Sequence, residues 1–72
     1  MQQSTGLFSE HITERELEVL RLLDSEFSNR EIAKRLFVSL DTVKSHTKHI
    51  YAKLGVRARH QAVGRAKELG LL

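Results

Sequence analysis

Two tetrapeptides, "TERE" at residues 13–16 and "SNRE" at 28–31, set a hydroxyl residue three positions ahead of a glutamate and just before an apolar run. This is the capping-box pattern. The hydroxyl accepts from the backbone amide of the third helical residue, and the glutamate reaches back to the cap amide. Each tetrapeptide therefore marks where a helix begins. Ile12 and Leu17 bracket the first box with the spacing of a hydrophobic staple. The helix after it carries Leu17, Leu20 and Leu23 on one stripe, with Val19 alongside. The second helix starts at Asn29 and has Ile32, Ala33 and Leu36 on its apolar face.

Ser39 is the next N-cap, and Asp41 sits in the first turn, at the positive end of the helix dipole. This third helix (about 40–54) runs to Leu54, where Gly55 can take the left-handed conformation that ends a helix. A fourth, "RHQAVGRAKEL", ends at Gly70 in the same way. No segment alternates with a two-residue period, so the expected fold is all-α, with four short helices.

Seventy-two residues leave room for one domain. The chain has no cysteine, which removes disulfides and thiolate metal sites and suits a reducing cytoplasm. No apolar run approaches the ~18 residues of a membrane span. Residues 1–11 are polar and lack the basic start and apolar centre of a signal peptide. They are read as a flexible leader, with the folded domain at 12–72. Charge divides unevenly. Residues 1–41 hold five basic and eight acidic groups, and residues 42–72 hold seven basic and one acidic. From Thr42 to Lys67 there is no acid, an asymmetry that points to a polyanionic partner.

Between the second and third helices lies "LFVS", apolar and without Gly or Pro. It reads as a tight turn whose apolar residues, Phe37 included, plug the core while Ser39 caps the third helix. Two helices joined this closely make a helix-turn-helix, at about 29–48. At 100° per residue, Val43, Thr47, Ile50 and Leu54 fall on the core side of the third helix. Asp41, Lys44, Ser45, Lys48, His49 and Ala52 fall opposite. That outer face is cationic and hydrogen-bonding. A helix fits the DNA major groove, where Lys can donate to guanine O6 and N7. Asn29, Thr42 and the helix N-terminus suit phosphate oxygens, and Arg57 and Arg59 could anchor the flanking backbone.

The run "TERELEVLRLL…SNREIAKRLFVSLDTVKSHTKHIYAKLGVRARHQAV…LGLL" resembles the LuxR-type helix-turn-helix domain of bacterial transcription regulators, over about residues 12–72. The resemblance rests on "SNREIA", "TVKSH" and "KLGVR" in this order and spacing. It implies sequence-specific binding of double-stranded DNA as a homodimer, with the third helix in the major groove and the fourth helices paired. It also implies base contacts from Lys44, Ser45 and Lys48, to which the helical wheel adds His49, and phosphate contacts around Asn29, Thr42, Arg57 and Arg59. The paired fourth helices would meet through Val63, Ala66 and Lys67. Three positions depart from the pattern. Ala58 stands where a hydroxyl cap is common, although Gln61 keeps the third place of the box. Gly64 lies inside the fourth helix, and Glu26 occupies a helix end where Gly is usual. Such domains usually form the C-terminal end of a larger regulator, and the ending "KELGLL" looks like the natural end of one.

No acid, base and nucleophile can be assembled into an active site, so no enzyme is expected, and no cofactor or metal. His46 and His49 have helical spacing but no third ligand near. The alternative function is a protein-interaction module that docks a partner such as RNA polymerase through the fourth helix with Leu71 and Leu72. That alternative predicts weak DNA binding without base discrimination.

Overall fold

The computed structural model describes residues 12–72; the expected leader lies outside the described residues. Four α-helices occur in order: α1 Glu14–Asp24, α2 Asn29–Leu36, α3 Leu40–Leu54 and α4 Arg59–Glu68. No strand occurs among the described residues.

Both capping boxes form. Thr13 Oγ1 accepts the Glu16 amide at 3.0 Å and Glu16 Oε1 accepts the Thr13 amide at 3.0 Å. Ser28 and Glu31 make the same reciprocal pair at 3.1 and 2.8 Å. Ser39 caps α3 through the Thr42 amide. The fourth start is half made. Gln61 Oε1 accepts from the amides of Arg57 and Ala58, but Ala58 has no side chain to return the bond.

The four helix ends share one device. A residue in the left-handed conformation, Glu26 (φ 65°), Phe37 (φ 59°), Gly55 (φ 71°) or Gly70 (φ 77°), closes each helix. Its N–H donates three residues back, and the next residue's N–H donates five residues back, as in Val38 to the Ala33 carbonyl at 3.0 Å and Leu71 to the Ala66 carbonyl at 2.8 Å. This is the Schellman arrangement, in which the residue after the left-handed one turns inward. Phe27, Val38, Val56 and Leu71 hold that inward place, and all pack on the core.

That geometry corrects the reading of "LFVS". Phe37 is not a core plug: it is 93% exposed. The left-handed backbone needed to end α2 throws its side chain out and sends Val38 in instead. A bulky side chain in this conformation costs roughly 1–2 kcal/mol relative to Gly. Glu26, at the helix end where glycine is usual, carries the same kind of strain.

The helices enclose Val19, Leu20 and Leu23 of α1, Ile32 and Ala33 of α2, Val43, Ile50 and Leu54 of α3, and Ala62 and Ala66 of α4. Leu20, Ile32 and Ile50 are fully buried, and each contributes about 1.5–3 kcal/mol by leaving water. The consequence for function is that α3 is clamped along one whole side and free along the other.

Candidate nucleic-acid interface

On α3 the inner stripe of Val43, Thr47, Ile50 and Leu54 is buried, and Lys44, Ser45, Lys48 and His49 are exposed with Asp41 and Ala52. The four expected base readers therefore lie on one solvent face. The Thr47 hydroxyl donates to the Lys44 carbonyl at 2.9 Å, so this threonine spends its polar group inside the helix and is tolerated in the core. His46 is half-buried at the boundary.

The N-terminal end of α3 adds two hydroxyls. Ser39 Oγ and Thr42 Oγ1 are 2.9 Å apart and can hydrogen-bond to one another. With the first amides of a helix, such a pair suits an anion. Sequence pattern marks Ser39 only as a cap; its exposure beside Thr42 puts it in the same cluster. Asn29, the first residue of α2, is half-buried, and Arg57 is exposed in the turn before α4.

Arg59 belongs to the fold. Its Nε and Nη2 both donate to the Leu23 carbonyl, at 3.1 and 2.8 Å. The guanidinium thus satisfies a carbonyl at the end of α1, where a positive charge also complements the helix dipole. The sequence expects a phosphate contact of Arg59; the structure adds a carbonyl partner thirty-six residues away in sequence, invisible to local patterns.

The basic half of the chain is also less free than its sequence suggests. Lys53 Nζ lies 2.7 Å from Glu16 Oε1, and Lys67 Nζ lies 3.4 Å from Asp24 Oδ1. Burial pushes the Glu16 carboxyl up. The Lys53 hydrogen bond, the Thr13 amide and the charges of Lys53 and His46 outweigh it, so Glu16 sits below its ordinary value. Tyr51 is half-buried on the core, and burial pushes its hydroxyl up despite the nearby Arg59 charge. It packs against the core.

On α4, Val63 is half-buried and Lys67 exposed. Ala66 is fully buried in the chain's own core, so its place on a dimer face is corrected: its methyl is used up against this chain's own helices. Gly64 faces open space, and a Cβ built there would meet nothing within 4 Å. Leu71 and Leu72, the expected docking residues, are half-buried against the core.

No helix among the described residues is long and apolar enough to cross a membrane. The family model described as "Bacterial regulatory proteins, luxR family" matches residues 10–66. A putative HTH-type transcriptional regulator of Mycobacterium tuberculosis is 49% identical over 59 residues, which are 82% of this chain and 7% of that protein. The oxygen regulatory protein NreC of Staphylococcus aureus is 43% identical over 61 residues, 85% of this chain and 28% of NreC. The chain thus spans only a small part of the length of these curated relatives. The crystal structure of the response regulator ChrA, from a heme-sensing two-component system, superposes on the whole chain with a TM-score of 0.83 and 39% identity, and 32% of ChrA is covered. This chain belongs to the luxR family of bacterial regulatory proteins, and its helix-turn-helix is a DNA-binding unit of transcription regulation.

Proposed function

We propose that the domain reads duplex DNA sequence-specifically by laying α3 in the major groove. The observation that carries this reading is the single exposed face holding Lys44, Ser45, Lys48 and His49, on a helix whose opposite face is locked in the core. Each good base pairing by such a side chain is worth about 1–3 kcal/mol of discrimination. Asn29, Thr42 and Arg57, with Ser39 beside Thr42, hold the flanking phosphates and fix the register without reading sequence.

One 61-residue fold presents a small contact area, so two copies act on half-sites about one helical turn apart. They meet through the open side of α4 around Val63, Gly64 and Lys67. The domain is the effector end of a longer bacterial regulator and works in the cytoplasm, where the chromosome is. It carries out no reaction; its output is occupancy of a DNA site, which affects RNA polymerase there.

The test is fluorescence anisotropy with randomised duplexes across a salt series, with bound DNA recovered and sequenced. The reading expects paired half-sites in the recovered pool. It also expects affinity to fall about 10³–10⁵-fold between 50 and 200 mM salt for six to ten phosphate contacts. Binding without enrichment of any sequence would refute base reading by α3.

A further inference from the structure

Three helix starts follow one rule, and α3 inverts it. In α1, α2 and α4 the third helical residue is Glu16, Glu31 or Gln61, and its side-chain oxygen accepts the backbone amide of the N-cap. The second helical residue is Arg15, Arg30 or His60. In α3 the third residue is Thr42 and the second is an acid, Asp41. Asp41 closes no cap, because Ser39 alone holds the Thr42 amide. It is exposed, and among the described residues it forms no ion pair and no side-chain hydrogen bond.

The helix dipole gains from an acid anywhere in the first turn, so it does not account for this outward place. Asp41 shares an exposed stripe with Lys44, Ser45 and Lys48, which follow it by three, four and seven residues. Helical residues three or four apart stand about 5–6 Å from one another at Cβ. Asp41 is also the only acid between Glu31 and Glu68. The face that offers cations to a polyanion therefore holds one carboxylate, in its first turn. The N-terminal residues of a recognition helix are those that touch base edges.

We propose that Asp41 determines specificity by accepting a hydrogen bond from the exocyclic amine of a cytosine in each half-site; this rests on the DNA reading by α3 proposed above. An ionised carboxylate is an acceptor only. In the major groove guanine presents O6 and N7 and thymine O4, all acceptors, and these repel it. Adenine presents its N6 amine with the N7 acceptor beside it, whereas cytosine presents the N4 amine alone. Phosphates repel the carboxylate too, so Asp41 opposes loose binding to any duplex and gains only where a base donates. It acts by rejecting wrong sites as much as by holding the right one. Lys44, one turn on, can donate to guanine. With base pairs about 3.4 Å apart along each strand, the cytosine lies within about two steps of that guanine.

The experiment selects binding sites from randomised duplexes with the parent chain, Asp41→Asn and Asp41→Ala. Each protein is then titrated on the parent's site and on that site with single base pairs changed. The parent pool is expected to fix a cytosine at one position of each half-site. In Asp41→Ala the preference for cytosine there should fall about 5- to 150-fold, with preferences at the other positions kept. Unrelated duplexes should bind more tightly, because a negative charge has left the face. Asp41→Asn should move the preference at that position from cytosine to adenine, whose N6 and N7 an amide meets together. The proposal is overturned if the parent fixes no such cytosine, or if both variants recover the parent's site; reading by Lys44 and Lys48 would then still stand. It is overturned equally if the variants melt lower and lose affinity on every duplex alike, which would assign Asp41 to the helix dipole. A parent chain that enriches no sequence fails at the first step, and that outcome sinks the DNA-reading function and this proposal with it.

Discussion

Lys53 Nζ lies 2.7 Å from Glu16 Oε1 and ties the last turns of α3 to the first turn of α1. The same carboxylate oxygen accepts the Thr13 amide, so one atom closes the cap of α1 and anchors the reading helix. The Glu16 side chain is only 6% exposed, and a charge so placed needs its partner. Lys53→Met keeps the aliphatic stem and removes the ammonium. It is expected to lower stability by about 1.5–3 kcal/mol, the scale of a hydrogen bond to a charged group. Urea unfolding checks this, and a loss under about 0.5 kcal/mol would mean that water already screens the pair.

The same pair fixes the sign of an acid effect. The Glu16 carboxyl sits below its ordinary value of 4.5, so the folded state binds its proton later than the unfolded chain does. Its contribution is fully present above the unfolded value and is lost as pH falls through the folded one. Glu31, held by the Ser28 backbone and hydroxyl, is lowered too and acts in the same direction. Parent stability should therefore decline from roughly pH 5 downward. Glu16→Gln, already weakened at neutral pH, should show a shallower decline. Urea midpoints of both proteins at pH 7, 5 and 4 would test it, and parallel curves would remove Glu16 from the account.

On α3 and its flanks, three kinds of substitution should separate. Lys44→Ala or Lys48→Ala is expected to cost about 1–3 kcal/mol on the selected operator and to relax preference at particular bases. Arg57→Ala should weaken all duplexes alike and reduce the salt slope by about 1. Arg59→Ala should leave DNA affinity unchanged and lower stability, because its guanidinium serves the Leu23 carbonyl. Anisotropy on matched and mismatched duplexes, beside thermal melts, sorts them. An Arg59→Ala protein of parent stability and poor DNA binding would restore that residue to the phosphate contacts.

The range of each interaction decides how legible it is in the sequence. The starts of all four helices are legible, because caps are made within three residues of sequence. The buried and exposed sides of α3 are legible as well: Val43, Thr47, Ile50 and Leu54 on one side and the Lys44 face on the other come from helical period alone. The helix ends are only half legible. Gly55 and Gly70 announce a left-handed residue, whereas Phe37 hides one. The apolar residue after it, Val38, is the available signal, since the same order recurs at Phe27, Val56 and Leu71. The bonds across the fold cannot be read locally. Lys53 to Glu16 and Arg59 to Leu23 span thirty-seven and thirty-six residues, and Ala66 turns inward only because α4 lies against α1 and α3.

The fourth helix offers a pair of substitutions that separates stability from assembly. Ala58 has the extended backbone of an N-cap (φ −136°, ψ 156°) and no capping side chain, so Ala58→Ser should stabilise the domain by about 0.5–2 kcal/mol. Gly64→Ala should stabilise the isolated chain by about 1 kcal/mol, since the added methyl meets nothing within 4 Å. The two diverge on DNA. A serine at the start of α4 leaves its open side unchanged, whereas a methyl at Gly64 stands where the second copy's helix is proposed to approach. Ala58→Ser is therefore expected to keep parent affinity for a two-half-site duplex. Gly64→Ala should melt higher yet bind that duplex more weakly, with binding to a single half-site unaltered. If Gly64→Ala instead gains stability and keeps full two-site affinity, the subunits meet on some other surface than the Gly64 side of α4.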